Sequence, residues 1–296
     1  MMQVLNGSLV ALVTPMMPNG DIDFNALDKI IDWHIKEGTN GIVSVGTTGE
    51  SATVNFDEHI KIIKHTINYV DGRVPVIAGT GANSTSEALD LTMEAKNMGA
   101  NYALIVTPYY NKPSQVGLIE HYTKIADSID IPQILYNVPS RTACDLLPSS
   151  VEVLSEHKNI IGIKEAVDID DRMKDLIKIS ITNENFKIYS GDDPSFLKML
   201  MLGGHGVISV AANILPKYIS EICSLCLDNK INNAQMVNEK LTKIYDLLFI
   251  QSNPIPVKWM MYKMGLIQNF LRLPLTELDE KYKELIISEM LKLELL

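Results

Sequence analysis

The 296-residue sequence holds only three cysteines, no cluster of lysines and arginines, and no apolar run near the roughly 20 residues that cross a bilayer. Each absence excludes something. Without a basic face, and with a net charge of −10, the chain has nothing with which to grip nucleic acid or anionic lipid. Without a long apolar run it has no membrane span. The start of the chain carries no basic leader before Thr14-Pro15, so it reads as a cytoplasmic protein without a signal peptide. Two of the cysteines, Cys223 and Cys226, form a CxxC, and Cys144 stands alone. A zinc site needs two further ligands, and a redox pair sits where a strand meets a helix. Residues 217–227 read instead as a helix with no other Cys or His close by, so the pair reads as packing. The six histidines show no metal-binding spacing, and no metal is expected. Gly79-Thr80-Gly81-Ala82-Asn83-Ser84 lacks the last glycine and the acidic partner of a dinucleotide fingerprint, so no nicotinamide cofactor is expected either.

What is there is a recurring unit. Hydrophobic residues make up 46% and charged residues 21%, a globular balance. Short runs rich in Val, Ile and Ala cover residues 9–13, 41–45, 74–78, 102–106, 132–136, 160–164, 186–189 and 207–210. Their starts lie about 20 to 34 residues apart, the length of one βα unit. The runs are apolar throughout instead of alternating, which suits parallel strands covered on both faces. Between them, helix signals recur. Asn55 or Asp57 can cap a helix through His65; Ser84 and Ser86 precede residues 87–98; Pro113-Ser114 opens 115–128; Pro148-Ser149-Ser150 opens a helix through Ser155. Gly38, Gly99 and Gly203 fall where helices should end.

Eight such units predict an α/β fold, a TIM (β/α)8 barrel; a doubly wound open sheet is the runner-up. The barrel is expected over residues 1–228. Residues 229–296 read as a helical C-terminal extension packed on it, with amphipathic spans at 232–249, 256–264 and 277–293.

In such barrels the chemistry lies at the C-terminal ends of the strands. Those positions here are hydroxyl-rich, and one of them is Lys164, at the end of a run otherwise shaped for burial. A buried ammonium is costly unless paired or deprotonated, and a neutral amine is a nucleophile toward carbonyls. The plain alternative is a lysine paired with Glu165 or pointing outward; adjacent strand residues face opposite sides, which disfavours that pair. Tyr136 ends the preceding strand and can shuttle protons, or be an ordinary core tyrosine. Thr47 and Thr48 lie on a glycine-bounded loop whose amides and hydroxyls suit a carboxylate, or form a plain turn. Arg141 offers a planar fork for a second carboxylate, or is a surface arginine. Gly203-Gly204-His205-Gly206 reads as a tight turn, and Glu58-His59 as a solvated helix face.

The stretches Gly46-Thr47-Thr48-Gly49-Glu50-Ser51, Thr107-Pro108-Tyr109-Tyr110, Tyr136-Asn137-Val138-Pro139-Ser140-Arg141-Thr142, Gly162-Ile163-Lys164-Glu165, Gly203 through Ser209, and Asn253 through Lys258 follow in order over nearly the whole chain. Together they resemble the dihydrodipicolinate synthase family. The resemblance implies condensation of pyruvate with aspartate-4-semialdehyde, with no cofactor. It implies that Lys164 forms the Schiff base and that Tyr136, Thr47 and Tyr110 relay protons, Tyr110 reaching into a neighbouring subunit. It implies Thr48, Gly191 and Ile208 around pyruvate and Arg141 on the semialdehyde. It also implies a homotetramer, a dimer of dimers, and a lysine feedback site at Ser51, Ala52, His59, Asn83, Glu87 and Tyr109. One position departs: Phe56 stands where many lysine-sensitive members have histidine, so inhibition is expected to be weak or absent.

Two rivals are weighed. A related aldolase, such as N-acetylneuraminate lyase or a keto-deoxy sugar aldolase, would share the lysine and tyrosine. The Thr47-Thr48 pair and Arg141 favour the synthase. A non-catalytic metabolite-binding barrel would be expected to lose the lysine or the relay residues, and all are present.

Overall fold

The computed structural model describes residues 5–296. Residues 1–4, the head of the segment read as lacking a leader, lie outside the described residues. Eight parallel strands follow in chain order: β1 (Gly7–Ala11), β2 (Gly41–Ser44), β3 (Val76–Gly79), β4 (Tyr102–Val106), β5 (Gln133–Asn137), β6 (Ile160–Glu165), β7 (Lys187–Ser190) and β8 (Gly206–Ser209). Each starts within two residues of its expected position. β1 pairs with β2 through Leu9↔Gly41 and with β8 through Leu9↔Ile208, so the sheet closes. Closure rules out the open doubly wound sheet.

The strands are apolar throughout because both faces are covered, yet their side chains still alternate. On β1, Leu9 and Ala11 join the interior cluster with Val43, Ile77, Tyr136 and Ile208, while Val10 joins the outer layer. On β5, Ile134 and Tyr136 point inward and Leu135 outward.

The capping residues act largely as read, although the helix after Asn55 runs on past His65 to Val70, and Ser86 lies inside the helix Thr85–Asn97 instead of ahead of it. Asn55, Ser84 and Ser114 each accept a hydrogen bond from the backbone three residues on, at 3.0, 3.5 and 3.3 Å. Of the two caps considered for the helix Phe56–Val70, Asn55 is the one used. Gly38, Gly99 and Gly203 adopt φ of +90°, +91° and +108° just beyond helices. Cys223 and Cys226 are buried free thiols within the helix Pro216–Leu227.

Two expectations need correction. Residues 232–249 form two helices, Ile231–Glu239 and Thr242–Leu248. The break turns buried Leu241 inward, at the head of a face with Ile244, Tyr245 and Leu248. Glu58-His59 is not a solvated face: His59 is buried with Nε2 2.7 Å from the Gly79 carbonyl, and Glu58 pairs with Arg272. Beyond the barrel, the helices Ile255–Lys263 and Glu280–Lys292 follow. Val257, Met260, Ile286 and Met290 share one buried cluster with Val10, Ile42 and Val207 of the strands. No helix of the described residues is long and apolar enough to cross a membrane.

Candidate active site

Lys164 lies near the C-terminal end of β6, in register with Tyr136 on β5 and Tyr189 on β7. It is 5% exposed, and no carboxylate pairs with it among the described residues. Its Nζ lies 4.3 Å from the centroid of the Tyr136 ring. An irregularity in the β5–β6 ladder sets this orientation. Gln133 faces Ile160, but Ile134 faces Gly162, so one residue of β6 is skipped. Ile161 packs with the interior, and strict alternation from it would send Lys164 outward. The bulge restores the phase: Ile163 joins the outer layer, and Lys164 shares the inward register of Tyr136. Gly191, just past β7, completes the fit. A Cβ there would stand 2.8 Å from Lys164 Cε and 3.0 Å from Cγ, so only glycine leaves room for the lysine stem. Ile208 is fully buried in the interior cluster.

Glu165, one residue on, faces away as strand geometry requires. It accepts from Arg172 Nε at 2.8 Å, Asn137 Nδ2 at 3.1 Å and the Val167 amide at 3.0 Å. Asn137 also donates to Asp145 and accepts from the Leu146 amide. Arg172 reaches Asp145 and the Leu146 carbonyl. Burial pushes the Glu165 carboxyl up to about 7, against the pull of Arg172. The network ties the ends of β5 and β6 to the segment that follows Arg141. Sequence reading missed it, since buried polar networks follow no short-range spacing.

The threonine loop after β2 is tightly constrained. Val45 and Glu50 adopt φ of +54° and +58°. For β-branched Val45 this is a strained conformation, held by its surroundings. Buried Thr48 accepts from Asn253 Nδ2 at 3.0 Å. Behind the loop, Lys258 Nζ contacts Glu50 Oε1 at 2.5 Å and the Thr14 carbonyl at 3.1 Å, with no exposure. A buried ion pair of this kind contributes little net stability, but losing one partner costs about 3–5 kcal/mol.

Arg141 belongs to a short helix, Pro139–Thr142, and donates from Nη2 to the Asn253 carbonyl at 3.3 Å. Arg141, Thr142 and Thr47 line a cavity of about 270 Å³. Ser51, Ala52, Phe56, His59, Glu87 and Tyr109 line the same cavity, so five of the six lysine-site candidates meet there. The sixth, Asn83, is not among the lining residues; its carbonyl accepts from Asn111 Nδ2 at 2.8 Å. Burial, then the nearby Glu87, raises the Tyr109 phenol. Tyr110 is set apart from all of these, 89% exposed at φ +76°.

A closed parallel barrel with a buried lysine at its C-terminal mouth, unpaired with any carboxylate among the described residues, defines a (β/α)8 barrel with the layout of an enzyme of that fold. The model of the dihydrodipicolinate synthetase family matches residues 4–292, and the chain belongs to that family. It is 52% identical over 281 residues to a 4-hydroxy-tetrahydrodipicolinate synthase of Pseudomonas syringae pv. syringae, covering 95% of this chain and 96% of that protein. A protein of the same name from Pseudomonas aeruginosa is 50% identical over 281 residues, with the same coverage. Among solved structures, a chloride-inhibited dihydrodipicolinate synthase of Acinetobacter baumannii complexed with pyruvate superposes with a TM-score of 0.97 at 47% identity, over 99% of this chain and 100% of that one.

Proposed function

We propose that the chain condenses pyruvate with aspartate-4-semialdehyde through an imine on Lys164, giving 4-hydroxy-tetrahydrodipicolinate. The Lys164 amine attacks the ketone carbon of pyruvate and water leaves. The imine then acts as an electron sink, so the pyruvate methyl loses a proton and an enamine forms. The enamine carbon attacks the semialdehyde's aldehyde. The amine of that substrate then attacks the imine carbon, closes the ring and displaces Lys164. The lysine supplies the activation, and no cofactor enters the scheme.

Tyr136 moves the protons, relayed through Thr47 and through Tyr110 of a second copy of the chain. Thr48 binds the pyruvate carboxylate, with Gly191 and Ile208 beside it, and Arg141 takes the carboxylate of the semialdehyde. The protein acts in the cytoplasm as a homotetramer, a dimer of dimers. Ser51, Ala52, His59, Asn83, Glu87 and Tyr109 form a lysine feedback pocket that Phe56 weakens.

The observation that carries the reading is the Lys164 amine, buried against the Tyr136 ring with no carboxylate paired to it among the described residues. The test is reduction with borohydride in the presence of pyruvate. A covalent adduct on Lys164, seen by mass spectrometry, is expected for the wild type. Lys164→Ala should give neither adduct nor turnover. A wild-type protein that stays unmodified would remove the imine mechanism.

A further inference from the structure

The segment Asn253-Pro254-Ile255-Pro256-Val257-Lys258 lies well beyond the last barrel strand, yet it holds two residues proposed for substrate carboxylates. Asn253 Nδ2 donates to Thr48 Oγ1 at 3.0 Å, and the Asn253 carbonyl accepts from Arg141 Nη2 at 3.3 Å. Asn253 is 5% exposed, and its Oδ1 has no partner among the described residues. Lys258 fixes the same segment to Glu50 and Thr14, behind the threonine loop.

The polarity of the Thr48 contact decides what it does. A hydroxyl has one proton and two lone pairs. An amide N–H aimed at Oγ1 takes a lone pair and leaves the threonine proton to point elsewhere. The reversed amide would accept that proton through Oδ1. It would also leave both N–H donors unmet in a buried place, where the present orientation leaves one N–H and the carbonyl. Orphaned buried donors are the rarer case in folded proteins. The orientation with Nδ2 on Thr48 is therefore the favoured one.

We infer that Asn253 is a positioning residue that couples the two carboxylate sites. Its side-chain amide turns the Thr48 hydroxyl proton toward the pyruvate carboxylate, and its backbone carbonyl steadies the Arg141 fork. The inference rests on the proposed function, in which Thr48 holds pyruvate. Asn253 itself touches no reacting atom. Its two contacts differ in kind: replacing the side chain removes the first and leaves the second.

The test is steady-state kinetics of full-length Asn253→Ala and Asn253→Asp with both substrates varied, beside the pyruvate–borohydride trap on the wild type. Asn253→Ala should raise the pyruvate KM about tenfold, the scale of one lost hydrogen bond in a buried site. The semialdehyde KM should move far less, because the carbonyl to Arg141 remains. Asn253→Asp keeps the shape but can only accept. It should take the Thr48 proton, present charge and lone pairs to the pyruvate carboxylate, and be worse than Ala. A merely structural residue gives the opposite order: isosteric Asp is tolerated better than Ala, and the melting temperature moves while the pyruvate KM does not. That outcome overturns the inference, as does failure of both variants to fold. Absence of a wild-type adduct would instead bring down the functional reading and this inference with it.

Discussion

His34, on the helix Phe24–Lys36, is wholly buried, with Nδ1 3.2 Å from Thr39 Oγ1 and no partner for Nε2 among the described residues. Burial lowers its pKa from 6.5 to about 3. The sign follows from which state takes up the proton. As pH falls below about 6.5 the unfolded chain protonates this histidine and the folded chain does not. The stability associated with burying the neutral ring is thus complete above that pH and is lost as pH falls toward about 3, at roughly 1.4 kcal/mol per pH unit. Urea unfolding of wild type and His34→Gln at fixed protein concentration, from pH 7 to 4, isolates it. Glu165, Asp193, His121 and His205 titrate in both proteins and cancel. The wild-type advantage should shrink steadily across that range; a constant difference would mean the fold accepts the proton. At this scale some residues were legible and others were not. Lys164 stood out because a charge ends an apolar run. Asn253 and Lys258 gave no such signal, because their partners Thr48 and Glu50 lie more than 200 positions away.

At the scale of elements, strand and helix order was legible because eight apolar runs and their capping residues are local features. The phase of β6 was not. Its bulge depends on how β5 and β6 pair, and that register decides whether Lys164 faces the interior or the outer layer. The split at Leu241 escaped for a similar reason, since one amphipathic pattern runs through both helices. The helix Phe56–Val70 carries the prediction on regulation. Phe56 at its start is 43% exposed and lines the cavity with Glu87 and Tyr109. Bound lysine would need partners for a carboxylate and two ammonium groups. Glu87 offers one charge, Phe56 offers no polar atom, and His59 already spends Nε2 on the Gly79 carbonyl. A lysine titration of the initial rate should therefore show weak inhibition or none, and Phe56→His should strengthen it. Tight inhibition of the wild type would show that the cavity supplies its contacts elsewhere.

For the whole molecule, the residue to test is Tyr110, proposed to serve the site of a second copy of the chain. Tyr110 leaves the loop after β4 at φ +76°, a conformation bulky residues adopt only when their surroundings impose it. Its backbone is tethered to the Thr142 carbonyl, yet its ring is 89% exposed while Tyr136 and Thr47 sit at the mouth. A large aromatic left this exposed is explained if a second copy covers it, and a two-fold interface would exchange the two tyrosines reciprocally. Lys164→Ala lacks the nucleophile, and Tyr110→Phe lacks the relay hydroxyl, so each protein alone should be nearly inactive. In a dimer of one with the other, the Lys164→Ala chain still supplies an intact Tyr110 to the site that keeps its lysine. Random pairing makes half of the dimers mixed, with one complete site in two, so the refolded mixture should recover roughly a quarter of wild-type activity. If Tyr110 served its own chain, no mixed dimer would contain a complete site. The mixture would then stay as inactive as its components, and the shared-site reading would fall while the Lys164 chemistry stood.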